Sequence, residues 1–139
     1  MRKFFAVLAF LLAGAAIAET WTLTVEIAGL RSKKGYIELG LYDNPDGFPK
    51  EDEDFAKARV EVDSTHVIME FEGLPQGEYA IAFYHDENAD GKFNKNFLGI
   101  PREGYGFSND ARPKLSAPSF DECAFSIDGD TTITITIVY

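Results

Sequence analysis

The oxygen-rich chemistry of this chain is concentrated in ten residues, His85-Asp86-Glu87-Asn88-Ala89-Asp90-Gly91-Lys92-Phe93-Asn94. Asp86, Asn88 and Asp90 alternate and Gly91 follows, which matches the D-x-[DN]-x-[DN]-G opening of a calcium loop. Hard oxygen ligands at every second residue can curl round one cation, and the glycine permits the sharp turn that comes next. Lys92 would offer its carbonyl, and Asn94 stands where a ninth-position oxygen, or the water it holds, would bind. The twelfth position, where a bidentate glutamate would close such a loop, is Phe97. Two ligand oxygens and a charge are thereby missing, which predicts weak binding, ~10⁻⁴–10⁻³ M, as in extracellular modules. The alternative use of the same residues is an ion-free loop held by its own Asx turns.

The segment belongs to a longer connection without strand alternation. From Asp86 to Pro118 five acids (Asp86, Glu87, Asp90, Glu103, Asp110) meet five bases (Lys92, Lys95, Arg102, Arg112, Lys114). Connections beyond ~12–15 residues are uncommon in compact domains and are often functional. Basic residues gathered on an otherwise acidic chain suit an anionic ligand or partner. His85, Arg102, Tyr105, Phe107 and Asn109 are therefore candidate ligand- or partner-binding residues. Against this stands a plug, in which Phe97, Tyr105 and Phe107 close one end of the core. Gly104 and Gly106 flank Tyr105 and allow positive φ or close backbone approach. A hydrolase is the rival class, with His85 as base and Arg102 and Tyr105 beside it on an anionic or sugar substrate. A purely structural envelope or adhesion module is the third.

The whole chain bounds these readings. It has 139 residues, 45% hydrophobic and 26% charged, enough for one globular domain with a core. Its formal charge of -10 argues against nucleic acid and against an anionic membrane surface. Met1 to Ala18 reads as a secretory signal peptide: Arg2 and Lys3, an apolar run from Phe4 to Ile17, then Ala16-Ile17-Ala18 as a cleavage site. As a helix that run reaches only ~21 Å, short of a ~30 Å hydrocarbon core, so no membrane span is expected after cleavage. The mature domain would run 19–139, exported to the periplasm or beyond the cell. Cys123 is the only cysteine and has no internal partner, which reads as a small buried hydrophobe.

Around the loop, period-two alternation predicts half-buried strands. Trp21, Leu23, Val25 and Ile27 make one inward face, and Ile37, Leu39 and Leu41 another. Val60 and Val62 follow, then Val67, Met69 and Phe71, then Tyr79, Ile81 and Phe83. Cys123, Phe125 and Ile127 come next, and last Ile133, Ile135 and Ile137. Leu74-Pro75-Gln76-Gly77 is a turn. Seven short strands predict an all-β, antiparallel sandwich with one long ordered loop. Pro49 to Lys57, opened by Glu51-Asp52-Glu53-Asp54, is the one brief helix candidate.

Leu74-Pro75-Gln76-Gly77-Glu78-Tyr79-Ala80, His85-Asp86-Glu87-Asn88, Asn96-Phe97-Leu98-Gly99-Ile100-Pro101 and Gly104-Tyr105-Gly106-Phe107-Ser108-Asn109, with Asp43 to Pro49, resemble the bacterial family called domain of unknown function 2141. The resemblance spans nearly the whole mature chain and implies a small secreted protein with no assigned activity. The Leu-Pro-x-Gly-x-Tyr turn is also similar to prealbumin-like and collagen-adhesin B-type sandwiches, some of which hold calcium in D-x-N-x-D-G stretches. Hydroxyisourate hydrolases of the prealbumin-like group have a histidine-rich site and a C-terminal motif. This chain ends Thr136-Ile137-Val138-Tyr139 and has neither, so no enzymatic role is carried over. The expectation is a non-enzymatic binding module for a protein, small-molecule or glycan ligand, with calcium at Asp86, Asn88, Asp90, Lys92 and Asn94.

Overall fold

The alternating segments become strands in a computed structural model that describes residues 17–95 and 97–139. Of the predicted signal peptide, all but Ile17 and Ala18 lies outside the described residues. The strands are β1 (Thr20–Ala28), β2 (Tyr36–Tyr42), β3 (Ala56–Glu61), β4 (His66–Pro75), β5 (Gly77–Asp86), β6 (Tyr105–Phe107), β7 (Phe125–Ile127) and β8 (Thr131–Thr136). The count differs from seven because β6 arises inside the long connection.

One sheet has the order β4-β1-β8, the other β3-β2-β5-β6. β5 is the hub of the second sheet. β2 runs along one edge, while the other is shared by β7 against Gly77–Tyr79 and β6 against Ala82–Tyr84. The expectation of an antiparallel sandwich fails at one place, since β1 and β8 pair in parallel. A parallel pair needs a long crossover, and here nearly the whole chain lies between its two strands.

Both sheets feed one apolar cluster. Leu23, Val25 and Ile27 of β1, Val67, Met69 and Phe71 of β4 and Ile135 of β8 share it with Ile37, Leu39 and Leu41 of β2 and Ile81 and Phe83 of β5. These are the inward residues that alternation picks out, and the arrangement is sandwich-like. Ile68, which breaks the alternation of its strand, is exposed. The Tyr79 hydroxyl donates to the Pro75 carbonyl at 2.7 Å and closes the predicted turn, as a tyrosine corner does.

Two local expectations change. The predicted helix from Pro49 to Lys57 is a run of turns that passes into β3 at Ala56. Asp52 is left-handed at φ 64, the Tyr42 hydroxyl donates to the Lys50 carbonyl, and Phe55 N–H pairs with the Leu41 carbonyl. Strand pairing therefore captures the backbone that a helix would need. The one α-helix among the described residues is α1 (Phe120–Cys123), capped by Ser119 and Glu122 bonding each other's backbone N–H. Cys123 thus ends a helical turn rather than opening a strand. It is fully buried, and burial with the Glu122 charge pushes its thiol up to about 11, so it behaves as the inert hydrophobe expected. No helix among the described residues is long and apolar enough to cross a membrane.

Candidate metal centre and its surroundings

The last two residues of β5 start the site. His85 and Asp86 are both fully buried, on opposite faces of the strand. The His85 ring is bonded at both nitrogens: Nε2 lies 2.6 Å from the Lys34 carbonyl and Nδ1 2.9 Å from the Tyr139 hydroxyl. A carbonyl only accepts, so Nε2–H donates to Lys34, while Nδ1 is bonded to the Tyr139 hydroxyl. The same hydroxyl accepts the Arg31 backbone N–H at 3.1 Å. His85 pins a turn and the Tyr139 ring, and it has no free nitrogen for a substrate. The hydrolase reading is left without its base.

Asp86 begins a loop tied by its own side chains. Its Oδ1 accepts Asp90 N–H at 3.2 Å and its Oδ2 accepts Gly91 N–H at 2.8 Å. Gly91 takes φ +75, the left-handed turn expected of it. Asp90 Oδ1 accepts Lys92 N–H, and Oδ2 accepts the amide groups of Asn94 at 2.9 Å and Asn88 at 3.2 Å. The Asn94 bond, then that of Lys92, holds the Asp90 carboxyl below its usual range. Lys92 thus enters through its backbone N–H, and its side chain is exposed.

The residue that sequence spacing misses is Glu103. It is buried, with Oε2 accepting Glu87 N–H at 2.8 Å and Oε1 accepting Asn94 N–H at 2.9 Å. Oxygens of Asp86, Asp90 and Glu103 all lie within 4.8 Å of one another. Calcium binds oxygen at about 2.3–2.6 Å, so two ligands of one ion lie at most about 4.6–5.2 Å apart. The three carboxylates therefore fit a single ion. Beside them, Asn94 Oδ1 is buried and has no hydrogen-bond partner among the described residues. Among the described residues none of the three acids has a Lys, Arg or His ion pair. Asp90 is exposed, but Asp86 and Glu103 are buried, and buried acids are seldom left so. Phe97, at the twelfth position, is 94% exposed and takes no part.

The β5–β6 register shows how Glu103 could have been found. Tyr84 pairs with Tyr105 and Phe83 with Gly106. Continuing the ladder puts Gly104 opposite His85, where His85 N–H does bond the Gly104 carbonyl at 2.8 Å. One step more sets Glu103 opposite Asp86. The missing acid comes from a neighbouring strand end, not from the loop's own count. Gly104 and Gly106 serve close approach: a Cβ there would lie 2.4 Å from the Tyr139 ring or 2.5 Å from the Phe83 ring.

At the mouth of the site Arg31 grips Glu87 through Nε and Nη2, donates to the Arg102 carbonyl at 3.0 Å, and lies over the Tyr139 ring at 4.3 Å. Ser32 adds a bond to the other Glu87 oxygen. Burial pushes the Glu87 carboxyl up, but the bonds from Arg31 and Ser32 outweigh it and hold it below the ordinary value. Arg31, Glu87, Asn88, Asn94, Arg102 and Glu103 line a shallow cavity of about 290 Å³.

The five predicted binding residues are not brought together. Arg102 is at this mouth, and His85 is in the core. Asn109, left-handed at φ 61, donates to the Glu122 and Ala124 carbonyls and holds the end of α1. Tyr105 and Phe107 share the outer face of the five-stranded sheet and line a separate groove. The plug is partial, since Phe107 packs edge-on against Phe48 while Phe97 is in solvent.

A family model described as "Uncharacterized protein conserved in bacteria (DUF2141)" matches residues 25–135. No curated protein and no solved structure matches the chain.

Proposed function

The chain belongs to this bacterial family, and we propose that it is an exported, non-enzymatic binding module whose 86–103 loop is organised by one calcium ion. The observation that carries the reading is the convergence of Asp86, Asp90 and Glu103 beside the buried, unpartnered Asn94 Oδ1. A cation supplies what this cluster lacks. It offsets carboxylates that no basic side chain pairs, and it gives the orphaned amide oxygen a partner. Each carboxylate has about four lone-pair sites, so its bonds to backbone N–H leave oxygen free for a metal. The ion is structural in this reading: it fixes the loop that joins β5 to β6 and so fixes the surface on either side.

The finer type of fold is a prealbumin-like sandwich, a reading supported by the shared core of the two sheets and by the Pro75–Tyr79 corner. Export to the periplasm or beyond rests on the composition of the first 18 residues.

The test is thermal unfolding in ~10 mM calcium and in chelator, on the native protein and on Asp90→Ala and Glu103→Gln. At ~100 Kd linkage stabilises by about 2.7 kcal/mol, roughly 10 °C for a domain of this size. The native protein should melt higher in calcium and both variants should not. An unshifted native protein retires the metal.

A further inference from the structure

We propose that the groove across the outer face of the five-stranded sheet binds a small aromatic anion, its ring over Ala82 between Tyr42 and Phe107 and its acidic group among the lysines of the loop. The register makes the floor. On the outward face Lys57, Gly40, Ala82 and Phe107 stand opposite one another across β3, β2, β5 and β6, and Arg59, Glu38, Tyr84 and Tyr105 form the next row. The Tyr42 ring lies against Gly40, where a Cβ would come within 2.8 Å of it, and Ala82 leaves a dip between that ring and Phe107.

The dip is walled by rings. Tyr84 meets Phe93 at 5.3 Å between centroids, Phe93 meets Tyr105 at 6.0 Å, and Tyr105 meets Phe107 at 6.1 Å. The Tyr84 hydroxyl donates to the Gly91 carbonyl and draws the loop over the sheet. The open groove is about 850 Å³, within the ~300–1,000 Å³ of small-molecule sites. Aromatic walls favour a flat ring, through offset or edge-on contacts.

Charge sets the sign of the ligand. Of the charged groups on the groove, Lys57 is paired with Asp52 and Asp54, and Glu38 with Arg59. Glu51 is the remaining acid, toward the β3 side. Lys92, Lys95 and Lys114 also line the groove, and none makes an ion pair among the described residues. Lys95 lies over the Phe93 ring at 5.6 Å, which sets an ammonium beside the aromatic wall. On a chain of net charge -10, three unpaired lysines round one groove favour an anion.

The experiment titrates the protein with 8-anilinonaphthalene-1-sulfonate, followed by its fluorescence, and with the neutral N-phenyl-1-naphthylamine. The anionic probe should bind the native protein and compete with plain aromatic carboxylates. Replacing Lys92, Lys95 and Lys114 together by Gln should weaken it about tenfold, the scale of three exposed ion pairs, and leave the neutral probe alone. Lys33→Gln with Lys34→Gln, away from the groove, should change neither probe. Ala82→Phe should block both probes by filling the floor, with circular dichroism to show the fold intact. The lysine triple is all surface, so it decides the matter even if Ala82→Phe fails to fold.

Absence of binding to the native protein overturns the proposal, and so does a triple variant that binds as the native does. Probe binding that survives in a folded Ala82→Phe places the probe away from the floor and equally overturns it. Lys92 meets the metal cluster only through its backbone N–H to Asp90, which Lys92→Gln keeps, and no other variant here contacts those carboxylates, so the result stands whether or not calcium shifts the melting curve.

Discussion

Ile81 and Asp86 lie on the same strand and both are fully buried, yet they are held by different physics. Ile81 is surrounded by apolar side chains from both sheets, and its burial is rewarded roughly in proportion to area, whatever the direction of the contacts. Asp86 is surrounded by backbone N–H groups and two other carboxylates, where each interaction depends on direction, charge and protonation. Burial alone therefore says little about role. The core half of β5 sets how stable the protein is, and the loop end sets what that stability depends on.

The largest effect that can test this contrast is Ile81→Ala. A buried isoleucine cut to alanine costs about 2–5 kcal/mol, and the melting temperature should fall by roughly 10 °C or more. The fall should be the same in calcium and in chelator, because the core does not touch the ion. A loss that depended on calcium would break the division between the two regions.

Next in size is the calcium increment itself, and it can be sharpened at Phe97. Glu103→Gln removes the increment of about 2.7 kcal/mol expected at ~100 Kd. If the acid is supplied by the β6 end, adding Phe97→Glu to that variant should not restore the increment, since Phe97 is out in solvent. Recovery of the melting shift in the double variant would mean that the loop closes through its twelfth position after all, as its own spacing suggests.

The same contrast explains what could be read from the chain. Alternation marked the inward residues of β1, β2, β4, β5 and β8, because burying one face of a strand imposes period two whatever the rest of the molecule does. It missed β6, whose three residues, Tyr105, Gly106 and Phe107, are too few to show a period. That omission hid Glu103, since only the β5–β6 register sets it beside Asp86. Local chemistry was legible where its partners are near in sequence: Asp86, Asn88, Asp90 and Asn94 are joined by bonds that span only two to five residues. The capping box at Ser119 and Glu122 was equally local and was available as a Ser-x-x-Glu signature. Long-range partners, such as Tyr139 against His85, leave no such mark.

The smallest expected effect concerns acid. Glu87 and Asp90 both have carboxyls held below their ordinary values of 4.5 and 3.8. In the folded protein they release protons more readily than in the unfolded chain, so the unfolded state binds more protons as the pH falls. Their contribution is complete above those ordinary values and is lost as the pH drops through the lower folded ones. Glu38, whose carboxyl burial pushes up, acts with the opposite sign, so in chelator the share of the melting temperature that Glu87 and Asp90 supply should hold level from pH 7 to about 5 and bend downward below about 4.5. Arg31→Ala removes the two Arg31 bonds that depress Glu87, so it should soften that bend and lower the plateau by about 1 kcal/mol, the guanidinium being half in solvent. Ile81→Ala should displace the whole curve and keep its shape. If Arg31→Ala lowers the plateau and leaves the bend unchanged, then Arg31 acts through its stacking on Tyr139, and the loop mouth is held by packing as the core is.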